Sequence, residues 1–188
     1  IAAIKYQYGL PGNYLLFVGN VEPRKNIAGL IEAYTKLPLE LCQRYPLLLI
    51  GASGWLTDEI FSKINSAKDK GYPIVRPNKY VADTDLPAIY SGATLLVYPS
   101  HYEGFGIPPL EAMACGLPVI CGDNSSLPEA VGDASFMVNS SDTPAISNAI
   151  EKLLQDEHSR EELIEKGYQQ VRKFSWQTSA EIIYKALI

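Results

Sequence analysis

Residues 98–120 decide the fold and read YPSHYEGFGIPPLEAMACGLPVI. The stretch opens at the end of an apolar run, passes through a loop with two glycines, and continues into a segment that two prolines introduce. Proline is favoured in the first turn of a helix, and Gly116 is a natural helix stop before the next apolar residues. The stretch therefore predicts a strand, a glycine loop, a helix and a second strand in that order.

The same alternation of short apolar runs and helical segments continues along the whole chain. It is typical of a parallel sheet covered by helices on both faces, so we predict a Rossmann-like, doubly wound α/β domain over residues 1–188. Ligands bind such sheets at the carboxyl ends of the strands, so the loops 19–26, 51–55 and 99–108 should meet in one crevice. The predicted strands are 14–18, 47–50, 74–76, 94–98, 119–121 and 135–138, and the predicted helices are 26–37, 57–70, 86–91, 109–115, 143–155, 159–173 and 176–187.

Two glutamates, Glu103 and Glu111, flank the glycine loop. An ionised carboxylate accepts hydrogen bonds from hydroxyl groups, whereas the free N–H groups at a helix start bind phosphate. Gly104 and Gly106 allow a ligand to approach the backbone, and the N–H groups of Gly104, Phe105 and Gly106 are predicted to face it. The side chain of Phe105 is expected to anchor in the core. The loop thus predicts a ligand that carries both a diphosphate and sugar hydroxyls.

Two adjacent cations, Arg24 and Lys25, lie between the first predicted strand and the first predicted helix. An arginine can clamp two oxygens and a lysine supplies a compact charge, so both are predicted to bind a diphosphate and to stabilise it as a leaving group. Positive charge at a helix start is unfavourable without an anion, which argues against a merely solvated pair. Gly19 and Asn20 in the same loop, and Gly51 in the next, are predicted to line this site.

The composition is that of one ordinary domain, with 188 residues, 47% apolar residues and a net charge of −5. The negative charge argues against a nucleic-acid surface. Neither a membrane span nor a signal peptide is recognisable, so we expect the protein in the cytoplasm, or peripheral at the membrane in its full-length form. Three cysteines without a Cys-x-x-Cys pair predict neither a disulfide framework nor a zinc site.

Four blocks in this order resemble the retaining glycosyltransferases of the GT-B fold, and specifically the large family 4. The resemblance runs from about residue 14 to the C-terminus and implies the C-terminal half of a GT-B fold, which binds a nucleotide diphosphate sugar as the donor. The N-terminal half, which binds the acceptor in that family, is expected to be absent from this chain. The blocks are VGNVEPRKN at 18–26, DLPAIYSGA at 85–93, the stretch 98–120 and SLPEAVGDA at 126–134.

The resemblance also implies roles for individual residues. Glu103 matches the glutamate that contacts the donor sugar near the reacting centre, and Glu111 matches the one that holds the ribose hydroxyls. Arg24 and Lys25 match positions that bind the diphosphate. Many relatives carry arginine where this chain has Asn20, so no third phosphate cation is predicted.

The loop 76–81 commonly meets the nucleobase in the same family. This implies that Lys79 and Tyr80 lie beside the base. Relatives often have glycine at the position of Lys79, and a bulkier residue there favours uracil over guanine.

Two short motifs have alternative interpretations. Asp83-Thr84-Asp85 spells the metal-binding D-x-D sequence of another glycosyltransferase fold, but LPAIY follows it directly, and a helix start explains these residues as caps. We therefore predict no metal and no other cofactor. The sequence GFG lacks the third glycine of a dinucleotide fingerprint, which argues against a nicotinamide site.

Together these features predict the donor-binding domain of a hexosyltransferase, with UDP-glucose or GDP-mannose as the donor and a glycan or lipid-linked glycan as the acceptor. The resemblance implies a retaining mechanism, in which the donor phosphate helps to deprotonate the acceptor hydroxyl while Arg24 and Lys25 absorb the charge of the leaving group. Two alternatives remain open. One is a nucleotide-sugar epimerase of the same fold, and the other is a nucleotide-binding module without catalysis of its own.

Overall fold

Six parallel strands form the centre of the computed structural model, which describes residues 1–187. The central strands are runs of apolar residues buried on both faces, because helices cover both sides of the sheet. The predicted doubly wound α/β sheet is confirmed. The strands are β1 (Leu15–Val18), β2 (Leu47–Ile50), β3 (Ile74–Val75), β4 (Leu95–Tyr98), β5 (Val119–Gly122) and β6 (Phe136–Val138).

The strand order in the sheet is β3-β2-β1-β4-β5-β6. Leu15 of β1 pairs with Leu47 of β2 on one side and with Leu95 of β4 on the other. The order reverses between β1 and β4, because the chain winds outward from β1 in one direction and from β4 in the other. Ligands of open α/β sheets bind at this switch point, outside the carboxyl ends of the strands. The loops after β1 and β4 flank that position.

Ten α-helices occur within residues 1–187, and seven of them overlap the predicted segments, with bounds that differ by at most two residues at the start of each. Two turns of 3₁₀ helix, Pro23–Lys25 and Asp83–Asp85, lie in the connecting loops. The three unpredicted helices are Ala2–Tyr8, Leu39–Arg44 and Leu127–Val131. The helices are α1 (Ala2–Tyr8), α2 (Ile27–Tyr34), α3 (Leu39–Arg44), α4 (Asp58–Asp69), α5 (Leu86–Gly92), α6 (Ile107–Ala114), α7 (Leu127–Val131), α8 (Thr143–Gln155), α9 (Glu157–Val171) and α10 (Trp176–Leu187).

Fully buried tyrosines are part of the core, and one of them reaches the crevice. A buried tyrosine hydroxyl needs a hydrogen-bond partner, and that of Tyr14 donates to the carbonyl of Ile89 at 2.7 Å. Tyr98 ends β4, and its ring stacks on Phe17 of β1 with ring centres 5.7 Å apart. The packing of β4 on β1 therefore holds a phenol at the carboxyl end of the sheet.

The last helix differs from the others because it buries none of its side chains. Several large apolar residues of α10 are exposed, including Trp176, Ile183 and Leu187. Across residues 1–187, no helix combines the length and the apolar content that a membrane crossing requires.

Candidate functional site

Three loops meet at the carboxyl ends of β1, β2 and β4, as the sequence predicts. The amide of Gly19 donates to the carbonyl of Ile50 at 2.8 Å, which joins the ends of the first two strands. Further along, His101 donates its amide to the carbonyl of Arg24 at 2.8 Å. The loop after β4 is thereby fastened to the loop that carries both predicted cations.

Gly51 is required at the meeting point of the first two loops. Its φ angle is 141°, and an added Cβ would lie 2.1 Å from the carbonyl oxygen of Gly19. A side chain at this position would therefore separate the loops after β1 and β2. Gly19 itself lies beside Lys25, because a Cβ on Gly19 would come within 3.6 Å of the Cε atom of that lysine.

A buried carboxylate lies at the centre of this region. Glu103 accepts a hydrogen bond from Nζ of Lys25 at 2.7 Å through Oε1, and one from Nη1 of Arg24 at 3.0 Å through Oε2. The same lysine donates to the hydroxyl of Tyr98 at 2.6 Å. The structure therefore brings together the three residues predicted to be catalytic. It also pairs them with one another, whereas the sequence predicts separate parts of a ligand as their partners.

The environment of Glu103 favours its ionised form. Burial alone would raise the pKa of this carboxyl, but the hydrogen bond from Lys25 and neighbouring groups lowers it below the usual range. Burial, together with the charge of Glu103, raises the pKa of the Tyr98 phenol well above its ordinary value. At neutral pH the cluster therefore contains a carboxylate, an uncharged phenol and two cations.

Sequence reasoning missed Glu22, a second carboxylate in the cluster. Its Oε1 lies 2.6 Å from Nη2 of Arg24, and its Oε2 accepts a hydrogen bond from the indole Nε1 of Trp55 at 3.0 Å. Glu22 is part of the VGNVEPRKN block, but that block does not indicate which side chain the glutamate meets. Arg24 thus lies between two carboxylates, those of Glu22 and Glu103.

The backbone of Glu103 is held by a second loop that sequence reasoning also missed. The Glu103 amide donates to Oγ of Ser125 at 3.0 Å, and Oγ of Ser126 donates to the Glu103 carbonyl at 2.9 Å. Ser125 adopts a φ of 52°, which is uncommon for a residue other than glycine and is often found at functional sites. The only sequence signal for this role is the SLPEAVGDA block, which includes Ser126.

The glycine loop differs from the prediction in two respects. Helix α6 begins at Ile107, so Pro108 and Pro109 lie in its first turn, where they provide no N–H groups. The first turn of α6 therefore presents fewer free backbone N–H groups to a phosphate than the sequence predicts. The expectation that Phe105 anchors in the core is wrong, because the residue is 42% exposed and its ring meets that of Phe174 edge-on, with ring centres 5.5 Å apart.

The two glycines of this loop have different surroundings. A Cβ on Gly104 would meet no atom within 4 Å, so the backbone there is open to a ligand. Gly106 has a φ of 107°, and an added Cβ would lie 2.8 Å from Cδ2 of Leu127. Packing against α7 therefore accounts for Gly106, whereas nothing in the fold requires a glycine at position 104.

Glu111 lies further along α6 and has its own partner. It is exposed, and its Oε2 accepts a hydrogen bond from the hydroxyl of Tyr90 at 2.8 Å. Burial, and then the charge of Glu111, raises the pKa of the Tyr90 phenol far above its ordinary value. The phenol is therefore protonated at neutral pH and donates its hydrogen bond to Glu111. Glu111 also lines a cavity of about 420 Å³ together with Phe105 and Phe174.

The predicted base-binding residues line a second cavity, of about 310 Å³, at the end of β2. Lys79, Tyr80 and Gly51 all contribute to its wall, and so does Arg76, which donates to the carbonyl of Gly51 at 3.1 Å. The ammonium of Lys79 lies 5.0 Å from the ring centre of Tyr8. Asn20, predicted to bind the same ligand, is exposed on the loop after β1.

The D-x-D tripeptide forms a 3₁₀ turn ahead of α5, and none of its side chains makes the predicted cap hydrogen bond. Instead, the carboxylate of Asp85 accepts hydrogen bonds from the hydroxyl of Tyr8 at 2.7 Å and from Nε2 of Gln7 at 3.2 Å. This aspartate therefore ties α1 to the start of α5. Over residues 1–187, no three His, Cys, Asp or Glu side chains are grouped closely enough to hold a metal ion.

Comparison with known families identifies the chain. The family model described as glycosyl transferases group 1 matches residues 4–170, a range that contains the charged cluster, the glycine loop and the wall of the cavity at the end of β2. The chain belongs to the glycosyl transferases group 1 family. The resemblance of the four sequence blocks to glycosyltransferases is thus confirmed.

Two mannosyltransferases from Escherichia coli are similar to the chain. O-antigen chain mannosyltransferase B is 47% identical over 173 residues, which cover 92% of this chain and 45% of the relative. A serotype-specific mannosyltransferase, WbdA, is 39% identical over 184 residues, which cover 97% of this chain and 22% of the relative. The chain therefore spans less than half the length of these relatives.

Two solved structures show the fold. Sucrose-phosphate synthase from Thermosynechococcus elongatus superposes with a TM-score of 0.77 at 26% identity and covers 100% of this chain and 49% of the enzyme. An α,α-trehalose-phosphate synthase from Burkholderia vietnamiensis also gives 0.77, at 14% identity, over 99% of this chain and 50% of the synthase. This group 1 chain has the fold of the C-terminal domain of a GT-B glycosyltransferase.

Proposed function

We propose that this chain is the donor-binding domain of a mannosyltransferase that transfers mannose from a nucleotide diphosphate sugar to a glycan. The observation that carries the proposal is the cluster of Arg24, Lys25 and Glu103 at the carboxyl ends of β1 and β4. Two cations at the switch point of a doubly wound sheet suit a diphosphate. The choice of mannose follows the names of the Escherichia coli relatives, which are mannosyltransferases.

The proposed donor extends across the crevice from one cavity to the charged cluster. The base occupies the cavity at the end of β2, whose wall includes Lys79 and Tyr80. The ribose hydroxyls donate to Glu111, and the diphosphate lies against Arg24 and Lys25. GDP-mannose is our first choice of donor, since the ammonium of Lys79 lies against the ring of Tyr8 and so gives little reason to prefer the smaller uracil base.

Binding of the diphosphate exchanges the partners of the cluster. Phosphate oxygens take the place of the Glu103 carboxylate on Lys25 and on one side of Arg24. The carboxylate, ionised at neutral pH because its pKa is lowered, then accepts hydrogen bonds from the hydroxyls of the donor sugar. This exchange assigns a charge-stabilising role to the cations and a sugar-orienting role to Glu103.

The same arrangement supports transfer. As the bond from the sugar to the diphosphate breaks, negative charge grows on the leaving group, and Arg24 and Lys25 stabilise that charge. The donor phosphate accepts the proton of the acceptor hydroxyl on the face that the leaving group vacates, so the configuration of the sugar is retained. No residue of this chain needs to act as a nucleophile, and no metal ion is invoked. An epimerase or a module without catalysis is disfavoured, because the relatives are transferases by name.

Titration calorimetry of the chain tests this proposal with GDP-mannose, UDP-glucose, GDP, UDP and ADP. We expect GDP-mannose and GDP to bind, and UDP-glucose and ADP to bind at least about tenfold more weakly, a difference of roughly 1.4 kcal/mol. Preference for UDP-glucose would overturn the choice of donor while preserving a donor site. Failure of every nucleotide to bind would overturn the proposed function.

A further inference from the structure

A buried negative charge lies directly beside the proposed diphosphate site. The side chain of Glu22 is only 9% exposed, and its Oε1 lies 2.6 Å from Nη2 of Arg24. A carboxylate in this position opposes the binding of a phosphate, and burial of any carboxylate is costly unless it is paired. Its presence therefore requires a function other than direct contact with the ligand.

The contacts of Arg24 indicate that function. Nη1 of Arg24 donates to Glu103 at 3.0 Å and to the carbonyl of Tyr102 at 3.2 Å, on the side of the guanidinium that faces the glycine loop. Glu22 contacts the other amino group, Nη2. The arginine side chain is 42% exposed, so packing alone does not fix its orientation. When a diphosphate replaces Glu103, Glu22 is the charged contact that remains.

Glu22 is itself fixed by the next loop. Its Oε2 accepts a hydrogen bond from Nε1 of Trp55 at 3.0 Å. The two loops are also joined through their backbones, since Gly54 donates its amide to the carbonyl of Val21 at 2.9 Å and Val21 pairs with Ser53 in a parallel bridge. The Trp55 ring is 57% exposed, so the indole hydrogen bond, and not burial of the ring, is what ties it to Glu22.

We propose that Glu22 is a positioning residue that orients the guanidinium of Arg24 towards the donor diphosphate, with Trp55 holding Glu22 in place. The inference rests on the proposed function, because it takes Arg24 as a diphosphate ligand. It adds a residue pair, Glu22 and Trp55, that acts through Arg24 without contacting the donor. An arginine held at one end by a carboxylate loses less conformational freedom when it binds phosphate.

Two variants test the inference independently. Glu22→Gln keeps the shape of the side chain and removes its charge, whereas Trp55→Phe removes the indole donor and keeps an aromatic ring. Calorimetry measures the affinity of each variant for GDP and for guanosine, and the quantity compared is the ratio of the two affinities. If the chain prefers uracil, the affinities for UDP and uridine give the corresponding ratio. Both variants should lower this ratio about tenfold, the loss expected when one charge-assisted hydrogen bond is misaligned. Glu32→Gln is the matched control, since Glu32 is an exposed glutamate on α2, and it should leave the ratio unchanged.

A double-mutant cycle separates positioning from a general structural effect. In an Arg24→Met background, Glu22→Gln should change the ratio by less than about twofold, because the residue through which it acts is gone. Thermal unfolding followed by circular dichroism checks that each variant is folded, and if Glu22→Gln does not fold, Trp55→Phe decides the question. The inference would be overturned if the ratio of GDP affinity to guanosine affinity were unchanged or higher in the folded single variants. It would also be overturned if Glu22→Gln lowered this ratio as much in the Arg24→Met background as in the wild type. If the wild-type chain binds no nucleotide, the proposed function fails first and this inference fails with it.

Discussion

Oε1 of Glu103 lies 2.7 Å from Nζ of Lys25, so a carboxylate and a cation predicted to bind different parts of one ligand are bonded to each other. Both side chains are less than 10% exposed, which makes the pair a buried one. Removal of one partner from a buried pair leaves a charge without compensation, whereas exchange for another charged group does not. In the proposed complex the diphosphate replaces Glu103 as the charged partner of Lys25, and sugar hydroxyls satisfy the carboxylate as hydrogen-bond donors.

The first prediction concerns the cation of that pair. Lys25→Met should lower the affinity for GDP about 100-fold and leave the affinity for guanosine nearly unchanged, because only the phosphates contact the ammonium. Calorimetry with both ligands measures the two effects. Lys36→Met is the control, since Lys36 is an exposed lysine that follows the C-terminal end of α2 and makes no contact with Glu103. Equal losses for GDP and guanosine would contradict the assignment of Lys25 to the diphosphate.

The second prediction concerns acid stability. Burial raises the pKa of Glu103, but the hydrogen bonds from Lys25 and neighbouring groups, together with the charge of Lys25, outweigh it, so the folded-state pKa lies below the ordinary value of 4.5. A carboxyl with a depressed folded-state pKa contributes stability that is fully present above its unfolded value and is lost as the pH falls through the folded value. Urea unfolding from about pH 7 downward should therefore show a loss of stability below about pH 4.5.

The variant Glu103→Gln identifies the source of that loss. It should be less stable than the wild type near neutral pH, and its stability should fall less steeply below about pH 4.5, because the group that takes up the proton is absent. Glu129→Gln replaces an exposed glutamate of α7 and should keep the steep wild-type profile. A Glu103→Gln profile parallel to that of the wild type would show that other carboxyls are responsible.

Sequence patterns sufficed to predict the sheet because its strands carry a strong local signal. The four central strands, including β1 and β4, are runs of four buried residues, nearly all of them apolar. The missed helices α1, α3 and α7 have 7, 6 and 5 residues. Segments of two turns or fewer repeat the 3.6-residue period too few times to be recognised by it, and α5, which also has 7 residues, is predicted only because DLP marks a helix start.

Sequence patterns predicted which charged residues the loops bring together, but not which partners those residues contact. Arg24, Lys25 and Glu103 could be predicted to lie close together because all three belong to loops that follow parallel strands. The role of Glu22 depends on the indole of Trp55, which lies 33 residues away in the chain and reaches it only through the folding of two loops. The position of Phe105 likewise depends on Phe174, which no local pattern relates to it.

The third prediction concerns the second glutamate of the stretch. If Glu111 binds the ribose hydroxyls, Glu111→Gln should weaken GDP and guanosine by the same factor, about tenfold. The wild-type chain should bind 2′,3′-dideoxyguanosine as weakly as the variant binds guanosine, and the variant should no longer distinguish these two ligands. Calorimetry with the pair of nucleosides provides the measurement, with Glu129→Gln as the control. A variant that still prefers guanosine by the wild-type factor would exclude Glu111 as the ribose ligand.

The fourth prediction concerns a glycine that the fold requires. Gly51→Ala would place a Cβ 2.1 Å from the carbonyl oxygen of Gly19 and would also force alanine into a φ of 141°. The loops after β1 and β2 would have to separate, so we expect a loss of about 3 kcal/mol in the free energy of unfolding. Urea denaturation measures it. A loss within about 0.5 kcal/mol would mean that these loops are not packed as described.

Gly104→Ala, unlike Gly51→Ala, should leave stability unchanged and weaken ligand binding, because nothing in the fold lies within 4 Å of the added Cβ. Its free energy of unfolding should stay within about 0.5 kcal/mol of the wild-type value, as for Gly12→Ala, a second glycine with open surroundings that lies outside the three loops of the site. The affinity for GDP-mannose should nevertheless fall about tenfold in Gly104→Ala alone, since a methyl group would separate the loop backbone from the sugar or phosphate that approaches it. Urea unfolding and calorimetry on the same preparations separate the two effects. Unchanged affinity in a stable Gly104→Ala chain would mean that the donor does not approach the backbone of the glycine loop.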